Sequence, residues 1–409
     1  MVEYLPVEKD LKSKTVSAIE RLVIELGQPK YQAGYIFSAI QAKGVTDIAA
    51  ITTLSKSLRA KLVEEGYYIS SLQVVEKLTD PDGTVKYVFG LPEHSFTAEH
   101  AETAETKQKL ISANSAVSAV NRIESVLLFD DDRRTLCVST QVGCAMGCVF
   151  CATGRLGLGR NLTVGEIVDQ VNVVNQEIRK SGNQEIRESG HQADKATSSP
   201  DNQITRYPDA PNRISNVVFM GMGEPLANYE ATLDAVRILN NSAGRHIGIR
   251  HLTISTCGLT EGIERLADES IQPRLAISLN APTDAIRAKL MPIAKKYSLS
   301  RLFAAVELYQ RKTRNRVTFE YCLIKGVNDT VLHAQMLIKR LRGMMCNVNL
   351  IEYNPYPGCG LKPSSREAIE RFAGVLEGAG IETIVRRKMG QTINAACGQL
   401  GAKRTEKSE

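Results

Sequence analysis

The chain has no run of about 18 apolar residues, the length that carries a helix through a bilayer, so no membrane span and no membrane partner are expected. Its first residues, MVEYLPVEKDLKSK, hold acids and no apolar stretch. They fit neither a secretory signal nor an Arg-rich, acid-poor transit peptide. Paired cysteine spacing is missing too. Nine cysteines, an odd number with three clustered, do not make a disulfide framework. A reducing, cytoplasmic location is therefore expected. Neither sign of charge dominates, with 51 Lys and Arg against 45 Asp and Glu. The net charge of +6 permits a polyanionic partner without requiring one. Tryptophan is absent, which by itself excludes nothing.

What the chain does have is one stretch rich in chemistry, CVSTQVGCAMGCVFCATGRLGLGRNLTVGEIVDQV, residues 137–171. Cys144, Cys148 and Cys151 stand at the spacing C-x3-C-x2-C among five glycines, Gly143, Gly147, Gly154, Gly157 and Gly159. A loop so rich in glycine can wrap its backbone around a compact object. Soft thiolates suit iron–sulfur or zinc. Three of them leave a coordination position open, as a catalytic metal site requires. The spacing alone does not choose the metal, and zinc completed by a distant fourth ligand fits it as well. Three buried, inert cysteines are the bland alternative, although a polar, glycine-rich loop is not a core segment.

At about 150 residues per domain the 409 residues suggest two or three domains, and around this stretch they divide into four parts. Residues 1–67 show helical periodicity in KTVSAIERLVIELG, in 31–43 and in KSLRAKLVEEG, each closed by a glycine. They read as a small helical domain carrying Lys30, Lys43, Lys56, Arg59 and Lys61. Residues 68–134 switch to period two. They read as a β hairpin turning at Asp80 to Gly83, a loop or short helix over 101–119, and a strand over 123–129. Residues 135–385 alternate strand and helix, with predicted strands at 135–140, 216–220, 251–256, 274–279, 316–324 and 346–353 and a short seventh at 381–385. A helix from Thr163 to about Arg179 opens on a capping-box pattern with Glu166. Residues 181–212 hold almost no large apolar side chain and read as a polar surface insertion. Residues 386–409 are a C-terminal segment.

Repeated βα units imply an α/β fold, a parallel sheet with outer helices. Six units are too few for the closed eight-stranded barrel. Ligands of such sheets bind at the C-terminal ends of the strands. There lie the cysteine loop, GMGEP (221–225), Ser255, Thr256, Cys257, Ser278, Asn280 and Asn354.

The cysteine spacing, with Phe150 before the last cysteine, resembles the radical S-adenosylmethionine (SAM) enzymes. The longer pattern, together with GMGEP and AACGQLGAK near the C-terminus, resembles one branch of them, the dual-specificity rRNA and tRNA adenine-C2 methyltransferases. The resemblance runs from about residue 15 to 403, apart from 101–119 and 181–212. It implies a partial (β/α)6 barrel and a [4Fe–4S] cluster on Cys144, Cys148 and Cys151 whose open iron chelates SAM. It implies a SAM pocket of Gly223, Glu224, Ser255, Ser278, Leu279, Asn280 and Asn354, with Asn280 standing where many relatives have His. A first SAM is implied to methylate Cys397, and a second to be cleaved to a 5′-deoxyadenosyl radical that activates the methyl group. Cys137 is then the resolving thiol that closes a transient disulfide, and Glu124 the candidate proton acceptor.

The substrates implied are an adenosine of 23S rRNA at the peptidyl-transferase centre and adenosine 37 of tRNA, gripped in part by the helical domain. An external electron donor such as flavodoxin or ferredoxin and a monomeric state are also expected. Arg160, Arg311, Lys312, Arg314, Arg386, Arg387 and Lys388 are expected around the barrel mouth as phosphate contacts. Cys257, Cys322, Cys346 and Cys359 are left as structural. Two other readings stay open. One is methylation at C8 of the same rRNA adenosine, the antibiotic-resistance chemistry. The other is a non-catalytic iron–sulfur protein that binds RNA or assists ribosome assembly, against which the presence of both Cys137 and Cys397 argues.

Overall fold

A computed structural model describes residues 6–91, 121–130, 133–188 and 213–402. The expected loop or short helix over 101–119 lies outside these residues, as does the insertion beyond residue 188.

The N-terminal part is helical, as its periodicity requires. Helices α1 (Val16–Glu25), α2 (Gln32–Gln41) and α3 (Lys56–Glu64) follow one another. Thr15 and Ser55 cap α1 and α3 by accepting from the backbone N–H three residues on. Helix α1 buries Ile19, Leu22 and Val23, the i, i+3, i+4 stripe of an amphipathic helix. Each such side chain contributes about 1.5–3 kcal/mol by leaving water.

Ten strands form one sheet in the order β1-β2-β3-β4-β7-β8-β9-β10-β11-β12, where β1 is Gln73–Thr79, β2 Val85–Gly90, β3 Arg122–Asp130, β4 Arg133–Cys137, β7 Asn216–Phe219, β8 Leu252–Thr256, β9 Arg274–Ser278, β10 Val317–Leu323, β11 Cys346–Glu352 and β12 Thr383–Val385. The run β4-β7-β8-β9-β10-β11-β12 is parallel throughout. Its two end strands do not pair, so the sheet stays open as a partial barrel. The hairpin β1-β2 and strand β3 extend this sheet by antiparallel pairing instead of forming a separate linker. A second, two-stranded sheet, β5 (Gln141–Cys144) with β6 (Gly157–Asn161), brackets the cysteine loop.

The remaining helices are α4 (Ala152–Arg155), α5 (Val164–Glu188), α6 (Tyr229–Asn240), α7 (Thr260–Leu266), α8 (Asp284–Leu290), α9 (Leu299–Thr313), α10 (Val331–Leu341) and α11 (Arg366–Gly378). Helix α5 runs nine residues' worth of sequence past the expected end near Arg179, to Glu188, so the polar segment begins as helix. Backbone hydrogen bonds within a helix need no apolar stripe, and polarity alone marked this boundary poorly.

The two faces of the parallel sheet differ in chemistry, because alternate residues of a strand point to opposite sides. One face carries Leu136, Val217, Phe219, Ile254, Leu275, Ile277, Phe319, Tyr321, Val348 and Leu350, all buried. Helices cover it: Phe303 of α9 lies 5.7 Å from Phe319, and Phe372 of α11 lies 5.2 Å from Tyr321. The opposite face carries Cys137, Thr253, Ser255, Ser278, Thr318, Glu320, Cys322, Asn347 and Asn349, in register across the strands. This polar face is where the site is built.

Candidate active site

The cysteine loop leaves the sheet after β4, turns through β5 and ends at α4. Gly143, with φ +74°, shows why glycine is needed: a Cβ there would lie 2.0 Å from the Gly157 carbonyl oxygen. Val149 N–H donates to the Leu290 carbonyl (2.9 Å), which fixes the loop over the end of α8. Cys148 is buried in a cluster with Cys257, Met291, Cys322 and Tyr353, and Cys151 packs against it.

The chemistry of these three thiols fits an iron–sulfur cluster. Burial pushes Cys144 up to about 12, and it raises Cys148 and Cys151 as well. Cys148 is raised further by the negative charge of Cys151 and Cys144 beside it. Three mutually repelling thiolates, with Glu224 adding to the repulsion, need a cationic group to be held ionised together.

GMGEP follows β7 directly. Gly223 has φ +106°, and a Cβ would sit 2.7 Å from that of Gln141. The Glu224 carboxylate is buried and accepts from Leu226 N–H (3.0 Å) and Cys257 N–H (2.7 Å). Burial nevertheless holds its pKa above the ordinary value. It therefore fixes the turn as well as facing the cysteines. Ser255 and Ser278 lie on the polar face of β8 and β9. Asn280, with φ +57°, accepts from Cys322 N–H (2.8 Å), and its amide reaches the Met291 sulfur at 3.4 Å. Leu279 points into the apolar core and is fully buried, so only its backbone can meet a ligand. Asn354 donates to the Cys397 carbonyl (3.2 Å).

The C-terminal segment docks on the cysteine loop. Ala152 N–H donates to the Gly398 carbonyl (2.7 Å), and Thr153 Oγ1 donates to the Leu400 carbonyl (2.7 Å). This carries Cys397 to the mouth of the polar face, where the residue is exposed. The thiol is raised nonetheless, first by desolvation, with the Arg386 charge opposing that rise. Burial pushes Cys137, at the end of β4, up to about 12, and the Cys397 charge further disfavours its ionisation. Glu124 is no surface residue. It meets the buried Lys86 at 3.5 Å and accepts from Gly401 N–H (3.0 Å), tying β3 to the C-terminal segment.

Several expected phosphate contacts fail on location. Arg160 is only 6% exposed and pairs in bidentate fashion with Glu166 (2.7 and 2.8 Å), capping α5 from inside. Arg311 and Lys312 end α9 and Arg314 follows it, before β10. They lie at the N-terminal edge of the strands, opposite the mouth, and Lys312 pairs with Asp268. Arg386, Arg387 and Lys388 do follow a strand, β12, on the correct side. Lys388 pairs with Glu352, Arg387 is exposed, and Arg386 turns inward to 3.8 Å from Glu320.

Sequence reasoning missed Glu320 and Asn328. Glu320 is buried on the polar face and accepts from Asn349 (2.8 Å), with its second carboxylate oxygen lacking a hydrogen bond. Asn328 is fully buried and bonds the Asn280 and Cys322 carbonyls and Ile324 N–H. The alternation V-T-F-E-Y-C-L in β10 was the signal available for Glu320. Nothing local marked Asn328.

The Radical SAM superfamily model matches residues 182–334. The chain is 41% identical to a probable dual-specificity RNA methyltransferase RlmN of Alkaliphilus oremlandii, over 96% of this chain and 98% of that protein. It is likewise 41% identical to a protein of the same name from Thermotoga maritima, over 94% and 96%. A crystal structure of a radical SAM methyltransferase from Sphaerobacter thermophilus superposes with a TM-score of 0.77 at 39% identity, covering 96% of this chain and 98% of that one.

Proposed function

Since the chain belongs to the RlmN family of radical SAM methyltransferases, we propose that it methylates C2 of an adenosine of 23S rRNA at the peptidyl-transferase centre and of adenosine 37 of tRNA. The observation that carries this reading is the docking of the Cys397 segment on the cysteine loop, beside the polar face that carries Cys137. A structural iron–sulfur protein has no use for two further thiols on the polar face and the segment docked at its cluster loop.

A cluster on Cys144, Cys148 and Cys151 with SAM, two molecules per turnover, supplies methyl transfer and the one-electron chemistry that activates a methyl hydrogen. The protein's own residues do the rest. Gly223, Glu224, Ser255, Ser278, Asn280 and Asn354, with the Leu279 backbone, line the strand ends where SAM is held. Cys397 carries the methyl group as a thioether, exposed where an RNA base can reach it. C2 of adenine is electron-poor and a poor nucleophile, which is why a carrier is needed at all. Glu124, which pairs with Lys86, is the proposed acceptor of the ring proton. Cys137 then displaces the carbon from Cys397, leaving a disulfide that an external reductant reopens. RNA recognition requires the base to leave its stack, and Arg387 at the mouth is the first phosphate contact to test. Flavodoxin or ferredoxin is the electron donor that fits a cytoplasmic setting.

The test is anaerobic turnover of unmodified rRNA fragments and tRNA by cluster-loaded protein, with products resolved against C2- and C8-methyladenosine standards. The expected product is 2-methyladenosine, absent with Cys397→Ala although iron content is unchanged. Formation of 8-methyladenosine would move the chain to the other branch.

A further inference from the structure

Lysines without a carboxylate partner gather around one side of the cysteine loop. Val149, between Cys148 and Cys151, is exposed. Its N–H donates to the Leu290 carbonyl at the end of α8 (2.9 Å), and its carbonyl accepts from the Tyr356 hydroxyl (2.8 Å). Two outer segments therefore flank it. The first carries Lys289, beside Leu290, and Lys295, in the short turn Pro292–Lys295. The second carries Lys362, whose carbonyl accepts from Lys325 N–H (3.0 Å), so the two lysines are neighbours. All four are exposed, and among the described residues none of them is in an ion pair. The carboxylates of these segments are engaged elsewhere. Asp284 accepts from Leu299 N–H (2.7 Å), and Asp329 accepts from the Ser364 hydroxyl (2.8 Å) and Gly326 N–H (3.0 Å).

Between these charges the surface is apolar. Met146, Phe150, Ile293, Val327 and Leu361 are half-buried and pack on the buried group that contains Cys148. A redox group resting against Val149 would be one residue from Cys148. The segment that carries Cys397 meets the loop at a different place, Ala152 and Thr153. An RNA base brought to Cys397 thus approaches past the third cysteine, whereas the lysines surround the residue that follows the second. An apolar centre with a cationic rim suits a weak and fast redox encounter, in which charge steers the approach and a small contact releases quickly. Soluble one-electron carriers of the flavodoxin and ferredoxin kind are acidic around their redox group, the complementary sign.

We propose that the Val149 side of the cysteine loop, ringed by Lys289, Lys295, Lys325 and Lys362, is the docking surface for an acidic one-electron carrier protein. The inference rests on the radical chemistry proposed above, which consumes an electron from outside the chain. In each encounter the carrier is oxidised by one electron and the cluster on Cys144, Cys148 and Cys151 is reduced by one, with no atom transferred.

The experiment uses the cluster-loaded full-length chain and a flavodoxin. Zero-length carbodiimide coupling joins an amine to a carboxylate in contact with it, and peptide mass spectrometry should find these four lysines linked to the flavodoxin. The pair Lys289→Glu and Lys295→Glu, and the pair Lys325→Glu and Lys362→Glu, should each weaken flavodoxin binding about tenfold at low salt, a difference that added salt should shrink. Reduction of the cluster by dithionite, a small molecule that needs no docking, should be unchanged in both variants, which also shows that they fold and hold iron. Cross-links confined to other lysines, or flavodoxin binding that neither pair weakens, overturns the proposal. Loss of tRNA affinity with flavodoxin binding intact also overturns it and gives the surface to RNA. Weakened flavodoxin binding by these variants of a protein that methylates no RNA would sustain the docking surface and reject the function.

Discussion

At the scale of single residues, the site depends on positions where one atom more or less decides the geometry. Gly143 combines a left-handed φ with a neighbouring carbonyl that leaves no room for a Cβ. Gly143→Ala is therefore expected to cost about 2 kcal/mol or more, since backbone conformation and packing both oppose it. Iron content after reconstitution should fall with the thermal midpoint. Full iron loading at an unchanged midpoint would show that the loop bends elsewhere. Arg160 teaches the converse lesson. Its charge looked like an RNA contact in sequence, but its bidentate pair with Glu166 spends that charge inside the protein.

At the scale of elements, the β1–β2 hairpin does more than extend the sheet. Its turn holds the segment that carries Cys397: Asp82 accepts from Gly390 N–H (2.8 Å), and Asp80 accepts from Thr392 N–H (2.9 Å) and its hydroxyl (2.6 Å). Burial acts to raise the Asp82 carboxyl, but hydrogen bonds from Thr84 and Gly390 outweigh it and leave its pKa below the ordinary value. A lowered folded-state pKa means the stabilisation is complete above the unfolded value of about 3.9 and is lost as pH falls through the folded value. Amide exchange in residues 390–402 should accordingly accelerate on acidification below pH 4, beyond its intrinsic trend. Asp82→Asn should remove that acid dependence. If the acid dependence is the same in wild type and variant, Asp82 is not the anchor. The turn itself was legible from Asp80 to Gly83, and its role was not, because Gly390 lies some 300 residues away in sequence.

At the scale of the whole molecule, the helical N-terminal part is joined to the barrel by buried polar contacts. Lys12 donates to Asp169 of α5 (2.5 Å), whose other oxygen accepts from Leu72 N–H (2.7 Å). Gln41 bonds the Lys12 carbonyl (3.1 Å) and Asn172 (3.1 Å). Burial raises the Asp169 pKa, and Lys12 opposes that rise. Removing one partner of a buried pair typically costs about 3–5 kcal/mol, because the other charge is stranded. Lys12→Met should show that loss in denaturant unfolding at neutral pH. The loss should shrink as pH falls and Asp169 takes up a proton, since a raised carboxyl penalises only the ionised form. A pH-independent loss would mean that packing of the lysine stem dominates.

The sequence by itself determined the βα alternation, the open parallel sheet, the helical N-terminal part and the three clustered cysteines. These follow from periodicity, capping residues and spacing, which are local and survive in a linear string. The family resemblance added Cys137, Cys397 and Glu124 as residues to watch. Only the tertiary structure decided which charges face the site. Arg160 turned inward to Glu166, Arg311, Lys312 and Arg314 fell at the far edge of the strands, and Glu320 and Arg386 met across β11. The physical reason is that a charge acts through space, with a partner set by strand register and chain reversal, whereas a sequence lists charges only in order along the backbone.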